Sequence, residues 1–236
     1  MNNLVKFGGI ITMESRITTI TFNADISARE MSGFRGAIMK MFPDELLYHN
    51  HQSGGFRYRY PLIQYKRLGG RPALVGIDNG AESLEKHWTT GERFTINING
   101  VSKELTVASK STCYFSPAIA EDGKPFQYMI RNWIPLNQDN YHRFKETDDL
   151  QEQIGMLNVL LVANILSSLK GMGHWVEIEI KANISEIIRT KKTRYKGNEL
   201  ICFDVRINSS ISLPDHCGIG KASSKGYGTI IPQAGH

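Results

Sequence analysis

The sequence predicts an α+β chain of two tandem ferredoxin-like domains, of the RNA-recognition type, with a glycine-rich loop near its C-terminus. Three observations carry this. The first hundred residues read as strand, helix, strand, strand, helix, strand, which is the ferredoxin-like order. After Gly100 a less regular copy of that order begins. At 236 residues and 41% hydrophobic content, the chain can fill two small cores. Residues 1–15 read as an N-terminal extension, 16–105 as the first domain and 106–236 as the second.

The elements of the first half follow from residue type. Arg16 to Asn23, RITTITFN, carries the β-branched and aromatic signature of a strand. Ser27 and Glu30 have capping-box spacing, and Met31, Phe34, Ile38 and Met41 then define one helical face that Pro43 ends. Phe56 to Arg67 alternates as a strand, and Pro61, which lacks a ladder donor, makes it an edge or broken strand. Gly69-Gly70 turns the chain into Arg71 to Ile77, Asp78 or Asn79 caps a helix over Ala81 to Trp88, and Phe94 to Asn99 is the fourth strand.

In the second half, Ser102 to Ser109, Thr112 to Ile119 and Phe126 to Leu136 read as strands. Polar Asn137 to Glu146 leads to Asp148 or Asp149 as a cap. Leu157, Leu160, Leu161, Ile165 and Leu169 then mark a helix of about five turns, closed by Gly171 and Gly173. Trp175 to Ile184 alternates as a strand, a basic segment runs from Thr190 to Lys196, Gly197-Asn198 turns it, and Leu200 to Ile207 returns.

Lys and Arg outnumber Asp and Glu by 28 to 23, a net charge of +5 that favours a polyanionic partner. The three cysteines have no close pairing, which argues against a disulfide framework and fits the reducing cytoplasm. No CxxC spacing suggests a metal, no cofactor motif is met, and no run of 18 apolar residues suggests a membrane span.

Tyr48-His49-Asn50-His51 falls between the first helix and the second strand. Histidine exchanges a proton near neutrality, and in extended backbone residues two apart share a side, so His49 and His51 can face one substrate. Two solvated loop histidines are the plainer reading of the same residues. As metal ligands the pair would want further donors; Asp44 and Glu45 are close, but His87, His142, His174 and His216 are scattered. Gly218-Ile219-Gly220-Lys221-Ala222-Ser223-Ser224-Lys225-Gly226-Tyr227-Gly228 matches neither the Walker loop nor the Rossmann fingerprint. Its glycines permit positive φ, and its lysines and serines suit phosphate.

That stretch, two GxG pairs flanking five Lys- and Ser-rich residues before the strand that ends at Ile231, resembles the glycine-rich motif of the CRISPR repeat-processing endoribonucleases, the sixth family of CRISPR-associated proteins. The resemblance extends through Asn132 to Asn137 with Asn140-Tyr141, through Tyr60 to Tyr65, and through Gly76 to Leu84. It includes Tyr48 to His51, similar to the His-x-His loop of one branch. It implies metal-independent cleavage within the repeat of a CRISPR precursor RNA by the ribose 2′-OH, with His49 and His51 as acid and base in an order left open. Arg57, Arg59 and Lys66 are candidates for the cation that stabilises the phosphorane, and Tyr48 either orients the ribose or fills the core. RNA is expected on Gly218, Gly220, Lys221, Ser223, Ser224, Lys225, Gly226 and Gly228, and on Lys191, Lys192 and Arg194 of the basic hairpin. A non-catalytic RNA-binding subunit of a CRISPR effector complex is the alternative, and a second copy of the chain is a further partner the resemblance admits.

Overall fold

The computed structural model describes residues 5–7, 9–49, 60–195 and 198–233. Two compact units divide the chain. The first holds Glu14–Phe115 with Ser224–Gly226, and the second holds Met1–Met13, Ser116–Ser223 and Tyr227–His236. Strands β1 (Val5–Phe7) and β2 (Ile10–Thr12), in the stretch read from sequence as an extension, pair antiparallel as a hairpin of the second unit.

The first unit contains β3 (Ser15–Phe22), α1 (Met31–Met41), α2 (Leu46–His49), β4 (Ile63–Leu68), β5 (Arg71–Ile77), α3 (Asn79–His87), β6 (Arg93–Ile98) and β7 (Val101–Phe115). Its antiparallel sheet has the order β4-β5-β3-β7-β6. The strand beside β3 is therefore β7, where the sequence suggested Phe94 to Asn99. Asn99 and Gly100 both have positive φ, 53° and 88°, and make a two-residue hairpin that folds β7 back on β6 before its second half pairs with β3. Ser102 to Ser109 and Thr112 to Phe115 are thus one strand of this sheet. β4 lies at the edge and begins two residues after Pro61, as the missing proline donor requires.

Phe34, Ala37 and Ile38 of α1 and Leu84 of α3 bury against Ile20, Phe22, Tyr65, Leu74 and Leu105. Phe22 meets Phe34, Trp88 and Phe94 edge-on at centroid distances of 5.1 to 5.7 Å. Each such side chain contributes roughly 1.5–3 kcal/mol by leaving water. Of the expected α1 face, Met41 is 40% exposed and Ala37 is buried in its place. Asp78 stands at the α3 N-cap but makes no side-chain cap; its Oδ1 accepts the Arg16 N–H at 3.0 Å and ties α3 to β3.

The second unit adds β8 (Phe126–Trp133), α4 (Gln138–Glu146), α5 (Leu150–Gly171), β9 (Trp175–Val176), β10 (Ala182–Tyr195), β11 (Asn198–Ser209) and β12 (Thr229–Pro232). β10, β11, β8 and β12 form a sheet in that order, and β9 pairs with β2. Counting β8, β10, β11 and β12 as first to fourth, the order is second-third-first-fourth. The first sheet has the same order for β3, β4, β5 and β7, so both units are ferredoxin-like. The difference lies between the third and fourth strands, where α3 of the first unit has no α-helical counterpart in the second. The stretch Gly218 to Gly228 runs there with one 3-10 turn, Ser223–Lys225.

Asn137, read from sequence as the start of a polar connection, caps α4 by accepting the Asn140 N–H, and Asp149 caps α5 by accepting that of Gln151, both at 2.8 Å. The 22 residues of α5 reach a mean hydropathy of 1.5 over an 18-residue window, long and apolar enough to cross a bilayer, and 28% of that window is buried. Its buried row is Leu157, Leu161, Ile165, Ser168 and Leu169, and it packs against β9 and β10. His174, just after α5, is buried with Nδ1 at 2.5 Å from Thr12 Oγ1 of β2, and burial pushes its pKa down to about 4.

Candidate functional site

His49 is the last residue of the single-turn helix α2. Three contacts fix the backbone and ring there. The Tyr65 hydroxyl on β4 donates to the Tyr48 carbonyl at 3.1 Å, and Arg35 Nη2 on α1 donates to the His49 carbonyl at 3.3 Å. His49 Nε2 lies 3.0 Å from the Phe42 carbonyl, just beyond the end of α1. A carbonyl only accepts, so Nε2 carries a proton, and the neutral tautomer compatible with this contact has its lone pair on Nδ1.

Tyr48 belongs to the core. It is fully buried, its ring stacks on Phe42 at 4.6 Å, and its hydroxyl accepts the Trp88 Nε1–H at 2.9 Å. Burial pushes its phenol pKa well above the ordinary value. Of the two readings open for Tyr48, the packing supports the core aromatic. Lys66 is fully buried in β4, on the face opposite Tyr65, and offers no exposed ammonium. His51, Arg57 and Arg59 lie outside the described residues. Among the described residues, no three His, Cys, Asp or Glu side chains gather into a cation site.

Sequence reasoning missed Arg35. Its guanidinium lies 5.6 Å from the Tyr65 ring centroid as well as on the His49 carbonyl, so one cation braces both ends of the bond network. It stands between Phe34 and Ala37 on the flank of the apolar face of α1, and nothing in the periodicity distinguishes it from the neighbouring Arg29 or Lys40.

The glycine-rich stretch is held by main-chain bonds. Ile219 N–H donates to Gly228 O at 2.9 Å, Gly228 N–H to Asn132 O at 3.0 Å and Lys221 N–H to Ile134 O at 3.1 Å. Gly228 has φ +62°, and a Cβ there would lie 1.8 Å from Ile219 O, so only glycine closes this clasp. At Gly226, φ +87°, a Cβ would stand 3.3 Å from the Tyr65 carbonyl, on the strand that supports Tyr48. Along this stretch Gly218 and Ser223 are buried, Gly220, Ser224 and Lys225 are half-buried, and Lys221 is exposed.

The basic hairpin divides by strand alternation. Lys191 Nζ donates to Asn132 Oδ1 on β8, and Thr193 Oγ1 lies 3.0 Å from the Tyr227 hydroxyl of the glycine-rich stretch. Asn132 joins the two, taking Lys191 on its side chain and Gly228 on its backbone. Lys192 points the other way and pairs with Glu199 at 3.0 Å, a solvated ion pair. The side chain of Arg194 lies outside the described residues.

Comparison with known proteins agrees with this architecture. The family model described as the Cas6b N-terminal domain matches residues 13–111, and the Cas6b C-terminal domain matches residues 120–233. Uncharacterized protein MJ0978 of Methanocaldococcus jannaschii is 35% identical over 113 residues, covering 48% of this chain and 75% of that protein. A crystal structure of Cas6b superposes with a TM-score of 0.81 at 24% identity, covering 94% of this chain and all of the other. A crystal structure titled CRISPR RNA processing endoribonuclease Cas6b gives 0.70 at 22% identity with the same coverage. Csf5, a type IV Cas6 crRNA endonuclease, gives 0.56 at 10% identity over 93% of this chain. With its two halves matched in order by the two domains of one family, and with that family's fold along its length, the chain belongs to the Cas6b family.

Proposed function

We propose that this chain is an endoribonuclease that cleaves CRISPR precursor RNA within the repeat, without a metal ion. The ribose 2′-OH attacks the adjacent phosphate, the P–O5′ bond breaks, and the products carry a 2′,3′-cyclic phosphate and a 5′-hydroxyl. His49 and His51 serve as the general base and acid, each worth roughly 100- to 10,000-fold. The observation that carries this reading is the tethering of His49 at Nε2, which leaves Nδ1 of the neutral ring as a proton acceptor. His49 is accordingly the base for the 2′-OH, and His51 as imidazolium gives its proton to the departing 5′ oxygen. The positive charge that stabilises the anionic phosphorane comes from a basic residue of the 52–59 segment, Arg57 or Arg59, or from Arg35.

RNA is held on the glycine-rich stretch with Lys221, Ser224 and Lys225 and beside it on Lys191. Binding there is largely to phosphate, weakens with salt and carries little base information. Pairing with a second copy and membership of a CRISPR effector complex are part of the same proposal. Incubating the purified chain with its own repeat RNA, with and without EDTA, tests it. Cleavage that resists EDTA and is lost in both His49→Ala and His51→Ala, with RNA binding retained, is the expected result. Full cleavage by the double alanine variant overturns the histidine assignment, and binding without cleavage by the unaltered chain favours the non-catalytic subunit.

A further inference from the structure

Asp204 of β11 is a buried carboxylate between two irregularities of its sheet. The β10–β11 register shifts between Ile187 and Arg189, the residue paired with Asp204, and the β11–β8 register shifts between Phe203 and Val205, across Asp204 itself. A bulge re-aims a side chain and is over-represented beside functional sites. On the β8 side, Asn132 takes a φ of +54° and its N–H donates to Asp204 Oδ1 at 2.7 Å. On the β10 side, Arg189 donates to Oδ2 from Nε at 2.8 Å and from Nη2 at 2.5 Å. The Asp204 side chain is 9% exposed and that of Arg189 is 56% exposed. A buried carboxylate is costly to leave without its cation, so Asp204 fixes the guanidinium along one edge. Nη1 and the outer hydrogen of Nη2 remain as two parallel donors on the solvated part of the side chain.

Lys191 stands two residues further along the same face of β10, about 6.6 Å away by strand geometry, and its environment differs. Its Nζ donates to the neutral side chain of Asn132, so the ammonium keeps its full charge for a phosphate. The charge of Arg189 is matched by Asp204, and the pair is neutral as a unit. What Arg189 keeps is direction, two donors held in one plane. That arrangement suits a pair of acceptors on the edge of a base better than the diffuse charge of a phosphate. Guanine offers such a pair in O6 and N7, and arginine on guanine is the commonest base-specific contact. In paired RNA that edge lies in a groove too narrow for a side chain, so the guanine must be unpaired. Asn132 sets both cations in one frame, with its N–H on Asp204 and its Oδ1 on Lys191.

We propose that Arg189, buttressed by Asp204, is a specificity-determining residue that reads one unpaired guanine of the repeat RNA through O6 and N7, beside a phosphate held by Lys191. The proposal rests on the reading of the chain as a repeat-RNA binder, and it is independent of the histidine assignment because its test measures binding alone. Each unpaired guanine of the chain's own repeat RNA is replaced in turn by 7-deazaguanine, which removes the N7 acceptor and leaves charge and pairing intact. Fluorescence anisotropy gives Kd for the full chain, for Arg189→Lys, which keeps a cation on Asp204, and for Arg189→Gln, with unchanged circular dichroism as the check on folding. One replacement should raise the Kd of the unaltered chain at least fivefold. Both variants should bind the unmodified RNA at least fivefold more weakly and be indifferent to that replacement. Arg189→Gln should leave the slope of log Kd against log salt unchanged, whereas Lys191→Gln should reduce it by about one. Tight binding with no guanine whose N7 matters overturns this proposal alone, as does guanine dependence that persists in both Arg189 variants. A salt slope that falls in Arg189→Gln makes Arg189 a phosphate contact and overturns it too. An unaltered chain that fails to bind its repeat RNA overturns the RNA-binding reading together with this one.

Discussion

The Tyr65 hydroxyl reaches across from β4 to donate to the Tyr48 carbonyl at 3.1 Å, so a strand of the first sheet holds the peptide bond that enters His49. Both groups are buried, and deleting one strands the other. Tyr65→Phe should therefore cost about 1–3 kcal/mol of stability. On the proposed reading it should also lower the cleavage rate while leaving the KM for repeat RNA nearly unchanged, because it moves His49, the proposed base, and not the residues proposed to hold RNA. Thermal unfolding together with single-turnover and steady-state kinetics separates the two effects. An unchanged rate constant would show that α2 keeps its place without this bond.

If His49 is the base and His51 the acid, their alanine variants should respond differently to the leaving group. In RNA whose scissile 5′ oxygen is replaced by sulfur, the thiolate departs without a proton. The expected outcome is that His51→Ala regains most of its rate on this substrate while His49→Ala stays slow. Rescue of His49→Ala instead would reverse the roles.

Gly228→Ala places a methyl group 1.8 Å from Ile219 O and keeps a left-handed φ of +62°. The left-handed backbone alone costs about 1–2 kcal/mol, and relief of the clash must open the bond between Ile219 and Gly228. RNA affinity should fall by at least tenfold in a filter-binding assay.

His174 makes stability depend on pH. Its folded pKa, about 4, lies below the unfolded value near 6.5, so the unfolded chain binds more protons between them. Its contribution is fully present above pH 6.5 and is lost as pH falls toward 4, by about 1–3 kcal/mol. Urea denaturation from pH 4 to pH 7 should show this slope, and His174→Gln should flatten it. Because Thr12 contacts the ring, proteolysis of the β1–β2 hairpin should quicken over the same range.

Much of the fold was legible because its signals are local. RITTITFN, the apolar face of α1 and the Leu and Ile row of α5 each name an element within one window of sequence. β7 was misread as two strands because pairing on both sides of a 15-residue strand is a long-range fact that alternation cannot announce. The α4 helix was missed because its polar residues offered one buried side chain, Phe144, where a helix call needs a row. At the site, the sequence named His49 by type but not its tether, since the Phe42 carbonyl is main chain and leaves no mark in residue identity. It left Tyr48 between substrate and core, and the choice depended on Trp88, 40 residues away.

The second unit sets a clasped loop where the first sets α3, and this determines which substitutions the family fold can absorb. A helix in that slot would tie function to an apolar face. The clasp is instead tied by main-chain bonds from Ile219, Lys221 and Gly228 and by positive φ at three glycines. Exposed side chains between the glycines, Lys221 first among them, can therefore be exchanged without loosening it. A chain of this design can change what the loop displays while the frame that displays it stays the same.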